Sequence, residues 1–314
     1  GYTGLALAFQ RGEITYDQLE SAAQKLESLN MDWFDLLYRN PFSHEHSISV
    51  GGGDSHGTYR GSVSYTKTMN TAIGNDIERY RGSINFNARW GTKFTLFASL
   101  SGAYTKTNLF ASGVDPYGYA LNTSRVIRAY DDDGELYYYN EGGYKYNILN
   151  ELANSGSNNT QSSVNINLNL RYAITDNLRV GVQLGGGRSN SFAESWFTEQ
   201  SHKMAETRGY DYGSVTTDSD EYKDCKVPFG GVYMASESRN FNYTLRLQAD
   251  YTKLFNDVHT LSLMAGWEVR SSQYDGYSQT TYGYQPDRGK TFAELPLEVD
   301  SGLNNMAQSQ PTLT

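Results

Sequence analysis

Residues 241–252 have the sequence FNYTLRLQADYT, in which every second side chain is aromatic or aliphatic. The side chains between them belong to Asn, Thr, Arg, Gln and Asp, so the two sets alternate without an exception. Successive side chains of a β-strand point to opposite faces of a sheet, whereas helical positions recur about every 3.6 residues. This stretch therefore predicts a strand with one apolar and one polar face.

The same alternation recurs along the chain and predicts eight strands. Residues 164–172 repeat it, with Asn and Arg between Val, Ile, Leu and Tyr. The six other segments with this pattern are 46–50, 59–65, 80–88, 94–100, 178–184 and 261–269. A composition of 31 Gly, 26 Tyr and only 6 Pro also suits strands joined by polar turns. The sequence thus predicts an all-β protein with an antiparallel sheet.

The connections between these strands alternate between short and long. The short ones are residues 51–57, 90–92, 174–177 and 254–258, and the long ones are 67–76, 106–161 and 191–239. A transmembrane barrel has tight periplasmic turns at one end and large extracellular loops at the other. A soluble β-sandwich has no reason to place every long loop at one end. The pattern favours a section of an antiparallel transmembrane β-barrel.

Aromatic residues fall near both ends of the predicted strands. Those beside the short turns are Trp90, Phe94, Tyr172 and Phe255, and those towards the opposite ends are Tyr65, Tyr104, Phe241 and Trp267. Aromatic side chains of this kind collect where a bilayer meets water. The two groups predict interfacial girdles, with outer-membrane lipid as the partner of the apolar strand face.

Charge and composition exclude several classes of function. The net charge is −9, and a protein that grips nucleic acid needs clustered Lys and Arg, so no nucleic acid partner is expected. The sequence has no apolar run of about 18 residues, which excludes a helical membrane span. Cys225 is the only cysteine and forms no internal disulfide. The opening residues lack the basic and apolar regions of a signal peptide.

Nothing in the sequence predicts a catalytic residue, a structural metal or a cofactor. His44 and His46 share a strand face, but no third ligand is placed beside them. Neither a Gly-x-Ser-x-Gly elbow nor a His-Glu-x-x-His helix occurs. The protein is therefore predicted not to be an enzyme.

The acidic segment 131–135, of sequence DDDGE, is a candidate calcium loop because oxygen ligands suit that ion. It lacks the ligand spacing of an EF-hand. An Asp-Gly pair between two apolar-rich segments is a strong hairpin signal. We therefore predict an extracellular β-hairpin that joins residues 126–130 to 136–139.

The segments outside the eight strands divide the chain into three parts. Thr15 and Gln18 have the spacing of a capping box, and the apolar residues that follow at helical intervals predict a short N-terminal helix. We predict an extracellular helical and loop segment at 1–43, the barrel section at 44–272 and the start of a further extracellular loop at 273–314. Because a barrel in lipid must close, further strands are expected on both sides.

The residues around the first strand resemble a known family. Segments 32–35 (DWFD), 38–42 (YRNPF) and 46–53 (HSISVGGG) resemble a recurring part of the SusC/RagA-like branch of the TonB-dependent nutrient importers. That family usually has an Asp-Trp pair, an Arg beside an aromatic residue and a His-x-x-Ser-Val-x-Gly-Gly-like strand. The match continues into the next two strands, so its specific part covers about residues 30–90.

The resemblance implies a barrel of about 22 strands, of which this chain is roughly a third. In the family a surface-exposed SusD-like lipoprotein caps the barrel. The TonB complex acts through a plug domain, which has no counterpart in this chain. The implied function is import of an oligosaccharide or peptide across the outer membrane of a Gram-negative cell, with that lipoprotein and the TonB complex as partners.

The two longest loops, 106–161 and 191–239, are the expected surface for substrate and lipoprotein, because loops vary most easily on a fixed scaffold. Aromatic side chains offer large apolar faces with polar tips and are enriched in interface hot spots. The candidate substrate-binding residues are Tyr137, Tyr139, Tyr144, Tyr146, Trp196, Tyr210 and Tyr212. Packing of these rings within the loops is the alternative.

Three other functions stay open on the sequence alone. They are an outer-membrane porin, an outer-membrane hydrolase with a catalytic pair at its rim, and a soluble β-sandwich binding domain. A second sheet packed on the apolar strand face would favour the sandwich, whereas an uncovered apolar face favours a barrel.

Overall fold

The computed structural model describes residues 2–295 and 306–313. The helices in this part of the chain are α1 (Tyr2–Gln10), α2 (Tyr16–Ser28), α3 (Trp33–Leu37), α4 (Pro116–Asn122), α5 (Ile148–Asn154), α6 (His202–Arg208) and α7 (Asp220–Lys223). The strands are β1 (Phe42–Gly53), β2 (Gly57–Met69), β3 (Asp76–Trp90), β4 (Phe94–Leu109), β5 (Tyr139–Glu141), β6 (Tyr144–Tyr146), β7 (Ser155–Ala173), β8 (Leu178–Phe197), β9 (Gly231–Phe255), β10 (His259–Gln285), β11 (Thr291–Phe292) and β12 (Met306–Leu313).

The long strands form one antiparallel sheet. Its order is β1-β2-β3-β4-β7-β8-β9-β10-β11, and β12 pairs with another part of β10. Each of the long strands therefore lies beside its neighbour in the chain, whereas the β5–β6 hairpin forms a separate small sheet. This up-and-down order is that of a barrel wall. It confirms the predicted all-β, barrel-like section with its eight strands and an N-terminal helix.

The eight strands are longer than the sequence pattern predicts. They lengthen along the sheet from 12 residues in β1 to 27 in β10. Because β10 continues to Gln285, the predicted end of the last strand at residue 272 is wrong. The far end of β10 pairs along its whole length with β9, so backbone hydrogen bonds hold it without an alternating side-chain pattern. Within the loop predicted at 273–314, residues 296–305 lie outside the described residues.

The two long loops are correspondingly shorter than predicted. They occupy residues 110–154 and 198–230 instead of 106–161 and 191–239, because the adjoining strands extend into them. We call residues 110–154 and 198–230 together the loop layer. Both of its segments leave and re-enter the sheet at the same end, which is the end predicted to be extracellular.

The short turns are staggered along the sheet. Each successive hairpin extends beyond the one before it in the direction of its short turn. Gly57 pairs with Ala88, yet β3 continues to Trp90. Further along, β9 continues to Phe255 although its pairing with β8 ends at Tyr251. Such a stagger arises when strands tilt relative to the axis around which a sheet curves. The register is therefore that of a barrel wall.

The apolar face of the main sheet is uncovered in the part of the chain that the structure describes. Ile48 is 76% exposed, Val63 is 67% exposed, and Leu184 in the middle of the sheet is 42% exposed. A sandwich would bury such side chains against a second sheet. The only other sheet among the described residues is the two-stranded β5–β6 hairpin, so these residues do not form a sandwich.

Aromatic side chains lie in rows across neighbouring strands. The ring centroids of Tyr65 and Tyr80 are 4.9 Å apart, and those of Tyr80 and Tyr104 are 6.2 Å apart. Beside a short turn, the rings of Trp90 and Phe94 lie 5.0 Å apart. These rows include positions predicted to form girdles.

No helix among the described residues has the length and apolarity needed to cross a membrane.

Most of the buried apolar core of the described residues lies in the loop layer, and the rest of its main cluster comes from the segments beside it. Ile148 and Met204 are fully buried and belong to one cluster with Trp33 of α3. Removing such side chains from water is the main favourable term in folding. The loop layer is therefore a packed unit at one end of the sheet, and it can hold side chains in fixed positions.

The Asp-Trp pair docks the N-terminal segment on this unit. Asp32 caps α3 by accepting two backbone hydrogen bonds of 3.0 and 3.1 Å, and it forms an ion pair with Arg125 at 3.1 Å. Trp33 is buried, and its ring meets that of Tyr119 edge-on at 4.9 Å. The residues that carry the family resemblance thus fix the start of the chain to the long loop after β4.

The N-terminal helix has the capping box that its sequence predicts. The Thr15 backbone donates to the Gln18 side chain at 2.8 Å, and the Gln18 backbone donates to the Thr15 hydroxyl at 3.3 Å. α1 adds a helix that the sequence pattern does not indicate, because YTGLALAFQ has no regular polar face.

The hairpin predicted at residues 126–139 is wrong except for its turn. The Asp131 N–H closes the turn with a hydrogen bond of 2.8 Å. The flanking segments then make a single bridge, between Tyr130 and Leu136, instead of two strands. The Tyr137 N–H donates to the Ala129 carbonyl oxygen at 3.0 Å, and the side chain of Asn147 adds hydrogen bonds to carbonyl groups on both segments.

Candidate functional site

Local sequence signals begin each helix of the loop layer. Asp115 accepts a hydrogen bond from the backbone of α4, which has Pro at its first turn. Asn147 caps α5, and Ser201 caps α6 in the same way. α6 ends at Gly209, whose φ of 87° favours glycine. These caps satisfy the free N–H groups of short helices that would otherwise fray.

Asn147 holds the first segment of the loop layer together. It is only 2% exposed. Its Nδ2 donates to the carbonyl oxygens of Ala129 and Tyr137 at 2.9 and 2.8 Å, and its Oδ1 accepts from the Leu149 N–H at 2.8 Å. One side chain therefore ties the turn at 131–135 to the start of α5.

A cavity of about 690 Å³ lies between α4, the β5–β6 hairpin, α5 and α6. Its volume falls within the range of small-molecule sites. Its lining combines aromatic, acidic and small polar side chains. The lining residues with large or charged side chains are Tyr119, Tyr139, Glu141, Tyr146, Glu151, Phe197, His202, Lys203 and Glu206.

Three tyrosines form an aromatic wall in this cavity. The ring of Tyr146 lies 5.9 Å from that of Tyr119 and 5.7 Å from that of Tyr139. Burial is the main cause that raises the pKa of each of the three hydroxyls. The wall therefore stays neutral, and Tyr119 and Tyr139 lie close enough to influence each other's pKa.

Glu151 is a buried carboxylate at the same cavity, with 2% of its surface exposed. Its Oε1 accepts from the His202 N–H at 2.7 Å and from Asn150 Nδ2 at 3.0 Å. Burial raises its pKa, while these two hydrogen bonds oppose the shift. The site thus holds a carboxyl group whose charged form lacks the solvation of water.

Replacing Glu151 with Gln is expected to remove a pH dependence from the loop layer. Because folding raises the carboxyl pKa, its favourable contribution is complete below the ordinary Glu value of 4.5 and is lost as pH rises through the raised pKa. Gln keeps an accepting oxygen but does not ionise. Amide exchange in residues 148–154, measured between about pH 5 and 8, should show wild type losing protection relative to the variant as pH rises. A constant ratio would contradict this.

The structure separates the predicted site residues into two groups. Tyr139 and Tyr146 line the cavity. Tyr144 lies at its edge, where its ring meets that of His202 at 6.3 Å. Tyr137 is not among the lining residues, and the Arg128 guanidinium lies over its ring at 5.1 Å.

The remaining predicted residues lie outside the cavity lining. Trp196 belongs to β8 instead of a loop, and its ring packs closely over Gly156, where no Cβ would fit. The Arg208 guanidinium lies 5.7 Å from the rings of both Tyr210 and Tyr212. Arg208 is buried and donates to the Glu199 carbonyl oxygen at 2.5 Å. These rings therefore pack a buried cation.

Tyr210 illustrates how tightly this second group is packed. Burial, followed by the neighbouring Cys225 thiol, raises the pKa of Tyr210 to about 12. The hydroxyl therefore stays protonated at physiological pH. Cys225 is a free thiol, half-buried beside this ring.

Sequence reasoning missed Tyr119, Glu151 and His202, which also line the cavity. Tyr119 follows an Asp-Pro helix start, and Glu151 lies one turn after an Asn cap, so local signals do place both on short helices. What brings the helices together is contact between the two long loops. That contact leaves no local trace in the sequence.

Metal-binding geometry is absent from the part of the chain that the structure describes, where no three His, Cys, Asp or Glu residues form a group that could hold an ion. The rings of His44 and His46 lie 5.1 Å apart on β1. His44 also meets Tyr65 at 5.9 Å, as part of a row of rings. The two histidines therefore pack among aromatic side chains.

The fold is similar to solved structures of the RagAB peptide importer. In the "closed-closed" state the TM-score is 0.70 at 17% identity, over 90% of this chain and 30% of that chain. A structure described as the RagAB peptide transporter gives 0.69, with the same identity and coverage. The "open-open" state gives 0.66 at 17% identity, over 91% of this chain and 30% of that chain.

This likeness concerns the fold, and the chain spans about 30% of the length of the chains that it resembles. No protein-family model and no curated protein sequence matches the chain.

Proposed function

We propose that this chain is part of the barrel of a SusC/RagA-like, TonB-dependent importer in the outer membrane of a Gram-negative cell. The observation that carries the proposal is the superposition of 90% of the chain on part of a peptide importer with a TM-score of 0.70. The uncovered apolar face supports contact with outer-membrane lipid, because such a face is costly in water.

The remaining strands of the barrel would close on the free edges of the sheet. Within the described residues β1 pairs only with β2, so its outer edge has unpaired backbone groups. An open edge in lipid leaves those groups without partners, which costs several kcal/mol each, on the order given by transfer to an apolar medium. A full-length protein would supply the neighbouring strands and the plug domain through which the TonB complex acts.

The loop layer is the proposed surface for the substrate and for a SusD-like lipoprotein. It is packed around its own core, so it presents a fixed surface at the extracellular end. The cavity within it has the mixed aromatic and polar lining of a site for an oligosaccharide or a peptide. The segment at 1–43 docks on the same layer and belongs to this extracellular surface in the proposal.

The double substitution Tyr139→Ala and Tyr146→Ala is expected to weaken substrate binding by the full-length importer at least tenfold. Both rings line the cavity, and truncating an aromatic hot spot costs about 2 kcal/mol or more. Uptake of a labelled peptide mixture and of labelled oligosaccharides by cells would be measured beside binding by the purified protein. Loss of uptake should accompany loss of binding.

Tyr137→Ala is the matched control, because Tyr137 belongs to the same loop but lies under Arg128 outside the cavity. It should leave uptake unchanged.

A second experiment deletes the TonB component from the same cells. Uptake that continues without TonB would contradict the importer and favour the porin alternative, whereas equal uptake by all tyrosine variants would reject the cavity as the recognition site.

A further inference from the structure

We infer that the cavity of the loop layer binds the cationic group of a peptide, either the side chain of Lys or Arg or a free amino terminus. The inference rests on the proposed import function and specifies the substrate class of its site. It follows from three features of the cavity: its charge, a buried carboxylate with a free oxygen, and the aromatic wall.

The cavity lining carries more negative than positive charge. Its acidic residues are Glu141, Glu151 and Glu206, and its one Lys or Arg side chain is Lys203, beside the imidazole of His202. Lys203 Nζ lies 3.3 Å from Glu206 Oε2, so these two charges offset each other. Glu141 and Glu151 have no ion pair with any described residue. A ligand with a positive charge would therefore complement the site.

Glu151 offers a specific point of attachment. Both of its side-chain hydrogen bonds, from His202 and Asn150, go to Oε1. Oε2 accepts none from any residue that the structure describes, although an ionised carboxylate has room for about four. Burying a carboxylate without a cation is costly, so a bound ammonium or guanidinium group would gain a charge-assisted hydrogen bond here.

The neighbouring groups keep this carboxylate in position. His202 Nε2 lies 2.9 Å from the Glu141 carbonyl oxygen and donates to it. The His202 ring also packs edge-on against Tyr146 at 5.1 Å. The hairpin, α5 and α6 are thereby joined around Glu151. A ligand would meet a site whose geometry is already formed, which reduces the entropy lost on binding.

The aromatic wall suits the rest of a basic side chain. Lys and Arg carry an apolar stem behind the charge, and that stem packs favourably on an aromatic face. The cation itself is attracted to the electron-rich face of a tyrosine ring. Tyr119, Tyr139 and Tyr146 supply such rings at the cavity. A neutral sugar could stack on these rings, but it would leave the charge of Glu151 without a partner.

The test uses the full-length importer with its lipoprotein and two blocked pentapeptides, acetyl-Ala-Ala-Lys-Ala-Ala-amide and the same peptide with acetyl-lysine. Maltohexaose serves as a neutral glycan. Calorimetric titration at pH 7.5 should show binding of the lysine peptide at least tenfold tighter than that of the acetyl-lysine peptide. Glu151→Gln should weaken lysine-peptide binding by about tenfold to a hundredfold and leave acetyl-lysine binding unchanged.

Glu135→Gln is the matched control, since Glu135 is an exposed acid in the same loop and does not line the cavity. It should bind both peptides as wild type does. Glu141→Gln is a second variant, because Glu141 lies at the exposed side of the cavity, and it should weaken lysine-peptide binding severalfold. Amide exchange in residues 116–139, away from the segment whose protection Glu151→Gln alters, confirms that each variant keeps its loop layer folded.

Equal affinity of wild type and Glu151→Gln for the lysine peptide would overturn the inference. Binding of maltohexaose in preference to both peptides, with TonB-dependent uptake intact, would overturn the inference and leave the proposed function standing. The proposed function itself would be rejected by a different result. In that result the protein is not found in the outer membrane, and none of the three probes is taken up with the help of TonB.

Discussion

Replacing Leu184 with Arg in the full-length protein should destabilise the barrel by about 2–4 kcal/mol, or prevent its assembly in the outer membrane. Leu184 lies on the apolar face in the middle of β8 and is 42% exposed in the chain alone. In water an exposed Leu-to-Arg change is close to neutral. In a bilayer it places a charge in hydrocarbon. The folded fraction can be measured by gel mobility before and after heating and by unfolding in lipid vesicles.

Asn167→Arg is the control on the opposite face. Asn167 pairs with Gly185, the neighbour of Leu184, so it lies at the same level of the sheet but on the polar side. A charge on that side meets water inside a wide barrel and should change stability by less than about 1 kcal/mol. If both variants fold equally well, the apolar face does not contact lipid, and the membrane placement is wrong.

Replacing Asn147 with Asp should open the loop layer without disturbing the sheet. Asp keeps the oxygen that caps α5, but it cannot donate to the carbonyl groups of Ala129 and Tyr137. The Tyr137 carbonyl would lose this donor, the Ala129 carbonyl would keep only the Tyr137 N–H, and both would face a negative charge. The expected cost is about 3 kcal/mol, which corresponds to amide exchange on the order of 100-fold faster in residues 126–154.

Asn140→Asp controls for the added charge. Asn140 is exposed at the β5–β6 turn, where its Oδ1 accepts from the Gly143 N–H at 3.1 Å, and Asp can accept the same bond. Its exchange should match that of wild type. Unchanged exchange in the Asn147 variant would mean that packing around Ile148 and Met204 holds the loop layer without this side chain. Strand pairing, followed through exchange in β7 and β8, should stay intact in both variants.

Strands were predictable from the sequence wherever their two faces meet different surroundings. The stretch 241–252 alternates because one face is apolar and the other polar, and the structure places it within β9. The prediction stopped at residue 272 in β10, although that strand continues to Gln285. Beyond that point, pairing with β9 determines the structure, and a backbone ladder does not require alternating side chains.

The candidate site was predictable only in part. Aromatic content pointed to both long loops, and it found Tyr139 and Tyr146 at the cavity. It also selected Tyr210 and Tyr212, which pack around Arg208. A sequence shows the chemistry of a ring but not its neighbours, so a ring that lines a cavity and a ring that packs on a buried cation look the same.

The sequence by itself determined the all-β class, the number of long strands, the short-and-long order of the connections and the capped helix α2. Each of these depends on residues close together in the chain, through side-chain periodicity, turn chemistry or capping. Only the tertiary structure decided that Glu151 becomes a buried carboxylate beside Tyr146 and His202. Two loops separated by the β7–β8 hairpin meet there, and burial, together with the pKa shift it causes, depends on neighbours from both.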